Sequence, residues 1–172
     1  LAMSSAASDV YKRQLYKRNK MKNKLVLTLI YLIFLAGCSK TPNELFEASN
    51  TNLENDNIDL AIGSLDKLVN SYPNDSLASK AQYKLASIYL NWKNDLNNGL
   101  LHLNNTVKNY GDSKQGLQAQ DEINQFPAFI VNKTESLRKR KMLKEAVDHL
   151  MFMIKEYSSN DLTPKAQYML GD

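Results

Sequence analysis

The sequence predicts an all-α fold in which tandem antiparallel helical hairpins stack into an α-solenoid behind an amino-terminal segment of a different kind. Three observations predict it. Tyr72, Tyr110 and Tyr157 bring the chain into register with itself at offsets of 38 (110 − 72) and 85 (157 − 72), and self-similarity at periods of tens of residues marks stacked repeats. In that register an apolar stripe spaced i, i+3, i+4, i+7, i+11 recurs three times, which is one face of a helix. After each tyrosine comes a run rich in Pro, Gly, Asn, Asp and Ser, the residues that stop one helix and cap the next.

Residues 1–20 carry no apolar period and no helix signal. They begin at Leu1 and resemble adapter-derived sequence, a leader foreign to the fold. From Met21, Lys22 and Lys24 precede an apolar run from Leu25 to Ala36, which ends in Leu35-Ala36-Gly37-Cys38. A basic start, a short apolar core and small residues at its end are the layout of a secretory signal. The core is 12 residues long, whereas a membrane-spanning helix needs about 20. Residues 21–37 are therefore expected to be removed. The L-A-G-C ending resembles the lipobox of bacterial lipoproteins, which implies that Cys38 is the lipidation site. Ser39 at the next position, rather than aspartate, implies outer-membrane placement facing the periplasm in a Gram-negative envelope.

Cys38 is the chain's single cysteine, so neither a disulfide framework nor a thiolate metal site is available. The formal charge of +4 misleads. Seven of the 22 basic residues and one of the 18 acidic ones precede Cys38, leaving 15 against 17, about −2. No nucleic-acid partner is expected of such a balance.

Residues 38–42 read as the lipidated tether, with Pro42 suited to a helix's first turn, and residues 43–172 as the helical repeat domain. The first helix carries Leu45, Ala48 and Ser49. The second carries Ile58, Ala61, Ile62, Leu65 and Val69, then stops at Tyr72-Pro73. The third, capped by Asp75, carries Ala81, Tyr83, Leu85 and Ala86, and the fourth carries Leu96, Gly99, Leu100, Leu103 and Val107. After Tyr110 the offset lengthens to 47 (157 − 110). A helix from Lys114 to about Gln125, with Asp112 as its candidate cap, is interrupted at Pro127, which cannot continue a helix without a break. A second piece from about Ala128 runs into the basic stretch Arg138 to Lys141. The next stripe is Leu143, Ala146, Val147, Leu150 and Ile154; after Tyr157, with Asp161 as candidate cap, Ala166 to Asp172 opens a further helix. Its lack of a cap points to a repeat domain truncated at the carboxyl end. Ala61, Gly99 and Ala146 share one position, where a small residue lets a neighbouring helix approach.

These residues resemble the tetratricopeptide repeat (TPR): Ala61, Leu65 and Tyr72-Pro73 match its second helix, and Leu45, Ala48 and Ser49, then Tyr83, Ala86 and Ser87, match its first. The lipobox, the short tether and the start at Pro42, Glu44, Leu45 and Phe46 together resemble the BamD family of TPR lipoproteins, which serves outer-membrane β-barrel assembly. The resemblance implies a membrane-anchored periplasmic protein–protein interaction scaffold. Two alternatives stay open: a periplasmic TPR protein of the Tol-Pal or cell-division type, and an envelope enzyme or binding lipoprotein whose functional domain lies beyond this fragment.

No G-x-S-x-G, phosphate-binding loop or H-E-x-x-H occurs, so no enzyme, cofactor, metal or small-molecule substrate is expected. His102 and His149 each lack a ligand-type partner at i+4 and read as satisfied or solvated side chains. First helices line the concave side in this repeat class, and Lys84, Tyr89 and Trp92, not spent on core contacts, are the candidates for gripping a protein partner. The basic run Arg138, Lys139, Arg140, Lys141 and Lys144 reads as a solvated helix face, with anionic lipid or an acidic partner as the alternative.

Overall fold

The computed structural model describes residues 40–171, so the leader, the signal segment and Cys38 lie outside the described residues. Eight helices follow Lys40: α1 Pro42–Glu54, α2 Ile58–Ser71, α3 Ser76–Asn91, α4 Leu96–Tyr110, α5 Lys114–Asn124, α6 Phe126–Lys139, α7 Leu143–Glu156 and α8 Thr163–Gly171. The all-helical repeat architecture is the one expected.

The start of α1 is fixed twice over. Thr41 Oγ1 accepts from the Glu44 backbone N–H at 3.3 Å, and Glu44 Oε2 accepts from the Thr41 N–H at 2.7 Å, a reciprocal cap that satisfies two otherwise orphaned donors. Asp75 caps α3 as expected, accepting from the Leu77 N–H at 2.8 Å. Asp95 caps α4 through the Asn98 N–H at 3.0 Å. At α5 the cap is Ser113, not Asp112: the helix begins at Lys114, so the residue next to it holds the extended backbone from which a side chain reaches the Gly116 N–H.

The turn inside each hairpin repeats as well. Asp56, Asn94 and Lys141 have φ of 56°, 51° and 59°, and they sit at the repeat's own offsets of 38 (94 − 56) and 85 (141 − 56). At Asp56 and Lys141 the hydrogen bonds are those of a helix end closed by a left-handed residue: Asn57 N–H to Asn52 O at 2.8 Å, and Met142 N–H to Leu137 O at 2.9 Å.

Neighbouring hairpins share α3. Its Ala78, Ala81, Leu85 and Ile88 complete one buried cluster with Leu45, Ile62, Leu65 and Leu68 from α1 and α2. Its Ala86 and Leu90 join a second, with Leu96, Leu103, Phe126, Ile130, Leu150 and Met153. Each hairpin thus depends on the next to cover its apolar stripe, and stability becomes a sum of units and interfaces. The shared small position is buried in all three units: Ala61 and Ala146 are inaccessible or nearly so, and a Cβ added at Gly99 would meet Leu90 Cδ2 at 2.2 Å.

The third unit departs from the expected pattern in two ways. α6 begins at Phe126, two residues before the expected Ala128, because proline in a helix's first turn removes only a donor that has no intrahelical partner. In α7, Leu143 is 61% and Val147 44% exposed. In the first unit the matching Ile58 and Ile62 pack in the cluster that includes Tyr89, near the end of α3.

Candidate functional site

The first helices α1, α3 and α5 lie side by side, and their contacts set the chemistry of this face. Lys84 of α3 reaches α1, where its ammonium donates to Asn50 Oδ1 and lies 5.2 Å from the centre of the Phe46 ring. Burial pushes its pKa down, opposed by Glu47 and Glu54. One residue earlier, the Tyr83 hydroxyl reaches the opposite way and donates to the Glu122 carboxylate of α5. The phenol is pushed up to about 12, first by burial and then by the bond to Glu122 and its charge.

Beyond Tyr83 the face opens into a cavity of about 290 Å³. Ser87, Leu90 and Asn91 of α3 form one wall, and Asp121, Glu122 and Gln125 at the end of α5 form the other. Phe126 and Phe129 of α6 lie beneath. The break at Gln125 makes this possible: restarting the helix at Phe126 packs that ring in the core, stacked 5.6 Å from Phe129, while the half-buried Phe129 still lines the cavity. Ser79 and Gln115 add a long contact between α3 and α5 at 3.4 Å.

The three partner-binding candidates do not converge here. Lys84 faces α1. Tyr89 stacks on His102 of α4, ring centres 5.1 Å apart and planes 10° from parallel, so it packs between helices. The two differ by five positions, roughly 140° around a helix at 3.6 residues per turn. Trp92 caps the end of α3 and is 51% exposed. The cavity's own residues, Ser87, Asn91, Asp121, Glu122 and Gln125, were not among the site candidates read from the sequence; Ser87 entered only as a small position of the repeat. Their spacing on adjacent first helices was the available signal, because 87 and 91, like 121 and 125, repeat at i+4.

His102 takes a hydrogen bond from Gln82 at its Nδ1, 2.7 Å away, and burial holds its pKa down against the pull of Asp66. His149 is buried, with Nε2 3.1 Å from the Asn94 carbonyl and Nδ1 without a partner. It is therefore half satisfied and not solvated. Among the described residues no group of three or more His, Cys, Asp or Glu is placed to hold a metal.

The basic run spans the end of α6, the turn and the start of α7. Lys139, Arg140, Lys141 and Lys144 are exposed and Arg138 is half-buried. Cations in the last turn of α6 meet the negative end of its dipole. Lys165 of α8 binds Glu135 of α6 at 2.8 Å, and with Lys139 and Arg138 it holds that carboxyl below its usual range.

Among the described residues no helix is long and apolar enough to cross a membrane. Comparison with curated proteins finds no match. Residues 38–172, from the candidate lipidation site through every helix above, match the family YfiO, described as an outer membrane lipoprotein. The chain belongs to the YfiO family of outer membrane lipoproteins.

Proposed function

We propose that this outer-membrane lipoprotein is a periplasmic scaffold, held to the membrane by lipid on Cys38, whose first-helix face binds other proteins during outer-membrane β-barrel assembly. The observation that carries the reading is the face formed by α1, α3 and α5. It presents charged and aromatic groups beside a cavity, and it belongs to a chain whose family resides at the outer membrane. Aromatic and charged groups around a recess are what a protein partner exploits. A scaffold of this kind works by placement, so rigid helix stacking is its functional asset. Lipid on Cys38 supports the role: about 0.8 kcal/mol per buried methylene makes more than one acyl chain a firm anchor.

Depletion of the protein from cells, followed by the heat-modifiable mobility of folded β-barrel proteins, tests the reading. Folded barrels should decline while their precursors accumulate in the periplasm. Undiminished barrel folding after depletion would refute a role in barrel assembly.

A further inference from the structure

The cavity between α3 and the α5–α6 break combines two features that point to one kind of occupant. Leu90, Phe126 and Phe129 supply apolar lining, and Asp121 and Glu122 supply two carboxylates. Among the described residues, no lysine, arginine or histidine lines it. Lys84, three residues before Ser87 on α3, is engaged by Asn50 and Phe46 of α1. Glu122 is held in place by the Tyr83 hydroxyl, and a carboxylate has about four lone-pair sites, so that bond leaves acceptor capacity toward the cavity.

We propose that this cavity receives a cationic side chain, arginine by preference, from an extended segment of a partner protein. The inference rests on the first-helix face being the docking face. An arginine matches both features at once: its methylene stem lies along apolar surface while its head stays with the charges. The guanidinium presents a planar fork to carboxylates and stacks on aromatic faces, which a compact ammonium does less well. The size agrees with a single side chain, because about 290 Å³ lies just below the roughly 300 to 1,000 Å³ of sites that hold whole ligands. That is room for one side chain and its neighbours, and too little for a folded element. An acidic or neutral segment would leave Asp121 and Glu122 facing either like charge or an apolar group, at a desolvation cost.

The test uses the full-length lipoprotein in detergent and three fluorescein-labelled pentapeptides, Gly-Phe-Arg-Phe-Gly and its counterparts with Gln or Glu at the centre, read by anisotropy. The arginine peptide should bind roughly tenfold more tightly than the glutamate peptide, a difference of about 1.4 kcal/mol. Its affinity should fall with added salt, since charge pairs near a surface are screened. The double variant Asp121→Asn, Glu122→Gln should lose that preference. Asp121→Asn alone, at an exposed position that leaves the Tyr83 bond intact, should lose part of it, with helicity unchanged by circular dichroism. Equal affinity for all three peptides, no binding by any of them at about 1 mM, or a preference that survives both variants would overturn the proposal. Such a result alongside barrel assembly that still depends on the protein would remove the arginine site and leave the scaffold reading in place.

Discussion

Tyr83 on α3 donates its hydroxyl hydrogen to Glu122 on α5, joining residues 39 apart in sequence across two adjacent first helices. The bond does two jobs. It ties successive repeats together on the first-helix face, and it fixes one carboxylate of the cavity.

The first prediction follows from the phenol's pKa, pushed up to about 12 chiefly by burial and then by Glu122. The folded value lies above the ordinary 10.0, so folding favours the protonated phenol. The stabilisation is complete below pH 10 and is lost as pH rises from there through about 12. In an ultraviolet titration one phenol should ionise last, near pH 12. Tyr83→Phe should remove that step, and Glu122→Gln should move it toward lower pH. If the final step persists unchanged in Tyr83→Phe, the contact is not formed in solution.

The second concerns the position shared by Ala61, Gly99 and Ala146. Ala61→Leu should cost about 1 to 3 kcal/mol, because a close-packed interface has no space for three added carbons. Gly99→Ala should cost a similar amount, since its Cβ would meet Leu90 Cδ2 at 2.2 Å and Cγ at 2.5 Å, and Leu90 is itself buried in the second cluster. Thermal melts of both variants decide it, and a midpoint as high as wild type for Ala61→Leu would mean that the helices do not approach there.

Much of the fold was legible because stacking writes itself into sequence: the same apolar and small positions recur wherever the same helix pair must meet. Turn chemistry was legible in part. Asp75 caps where expected, but Ser113 displaces Asp112, because a one-residue difference in where α5 begins decides which side chain reaches a free N–H. The site was the least legible. Candidates chosen as aromatics left over from packing placed Tyr89 in a groove, whereas its position on the helix turns it onto His102. The polar residues that line the cavity share no motif, and only the juxtaposition of α3 with the break at Gln125 brings them together.

A third prediction uses the left-handed turn residue of each hairpin. Asp56 and Asn94 have short polar side chains that tolerate this conformation, but Lys141, at φ 59°, does not have one. A left-handed backbone costs an ordinary L-residue roughly 1 to 2 kcal/mol. Lys141→Asn should recover part of it and raise stability by roughly 0.5 to 1 kcal/mol. Lys144→Asn, which also removes one exposed cation, controls for charge. If chemical denaturation shows the two variants alike, backbone strain at residue 141 is not the cause.

The last prediction concerns acid. His149 on α7 is tied through Nε2 to the carbonyl of Asn94 in the α3–α4 turn, while its Nδ1 has no partner. Its pKa lies below the ordinary 6.5 because burial disfavours the charged ring; the Asn94 bond, Asp148 and Glu145 oppose that shift and Lys133 adds to it. His102 is displaced in the same direction. Where the folded pKa is depressed, the unfolded chain binds more protons, so stability rises with pH and is lost as pH falls below 6.5. The thermal midpoint should therefore decline between pH 7 and about 5. His149→Gln keeps a hydrogen-bonding group but cannot titrate, so it should melt lower at pH 7 and show a shallower decline. The residual slope should then shrink further in a variant that also carries His102→Gln. The Asp66 carboxyl, raised by burial, titrates in the opposite sense, so an unaltered slope in the double variant would show that neither imidazole governs the acid response of the stacked hairpins.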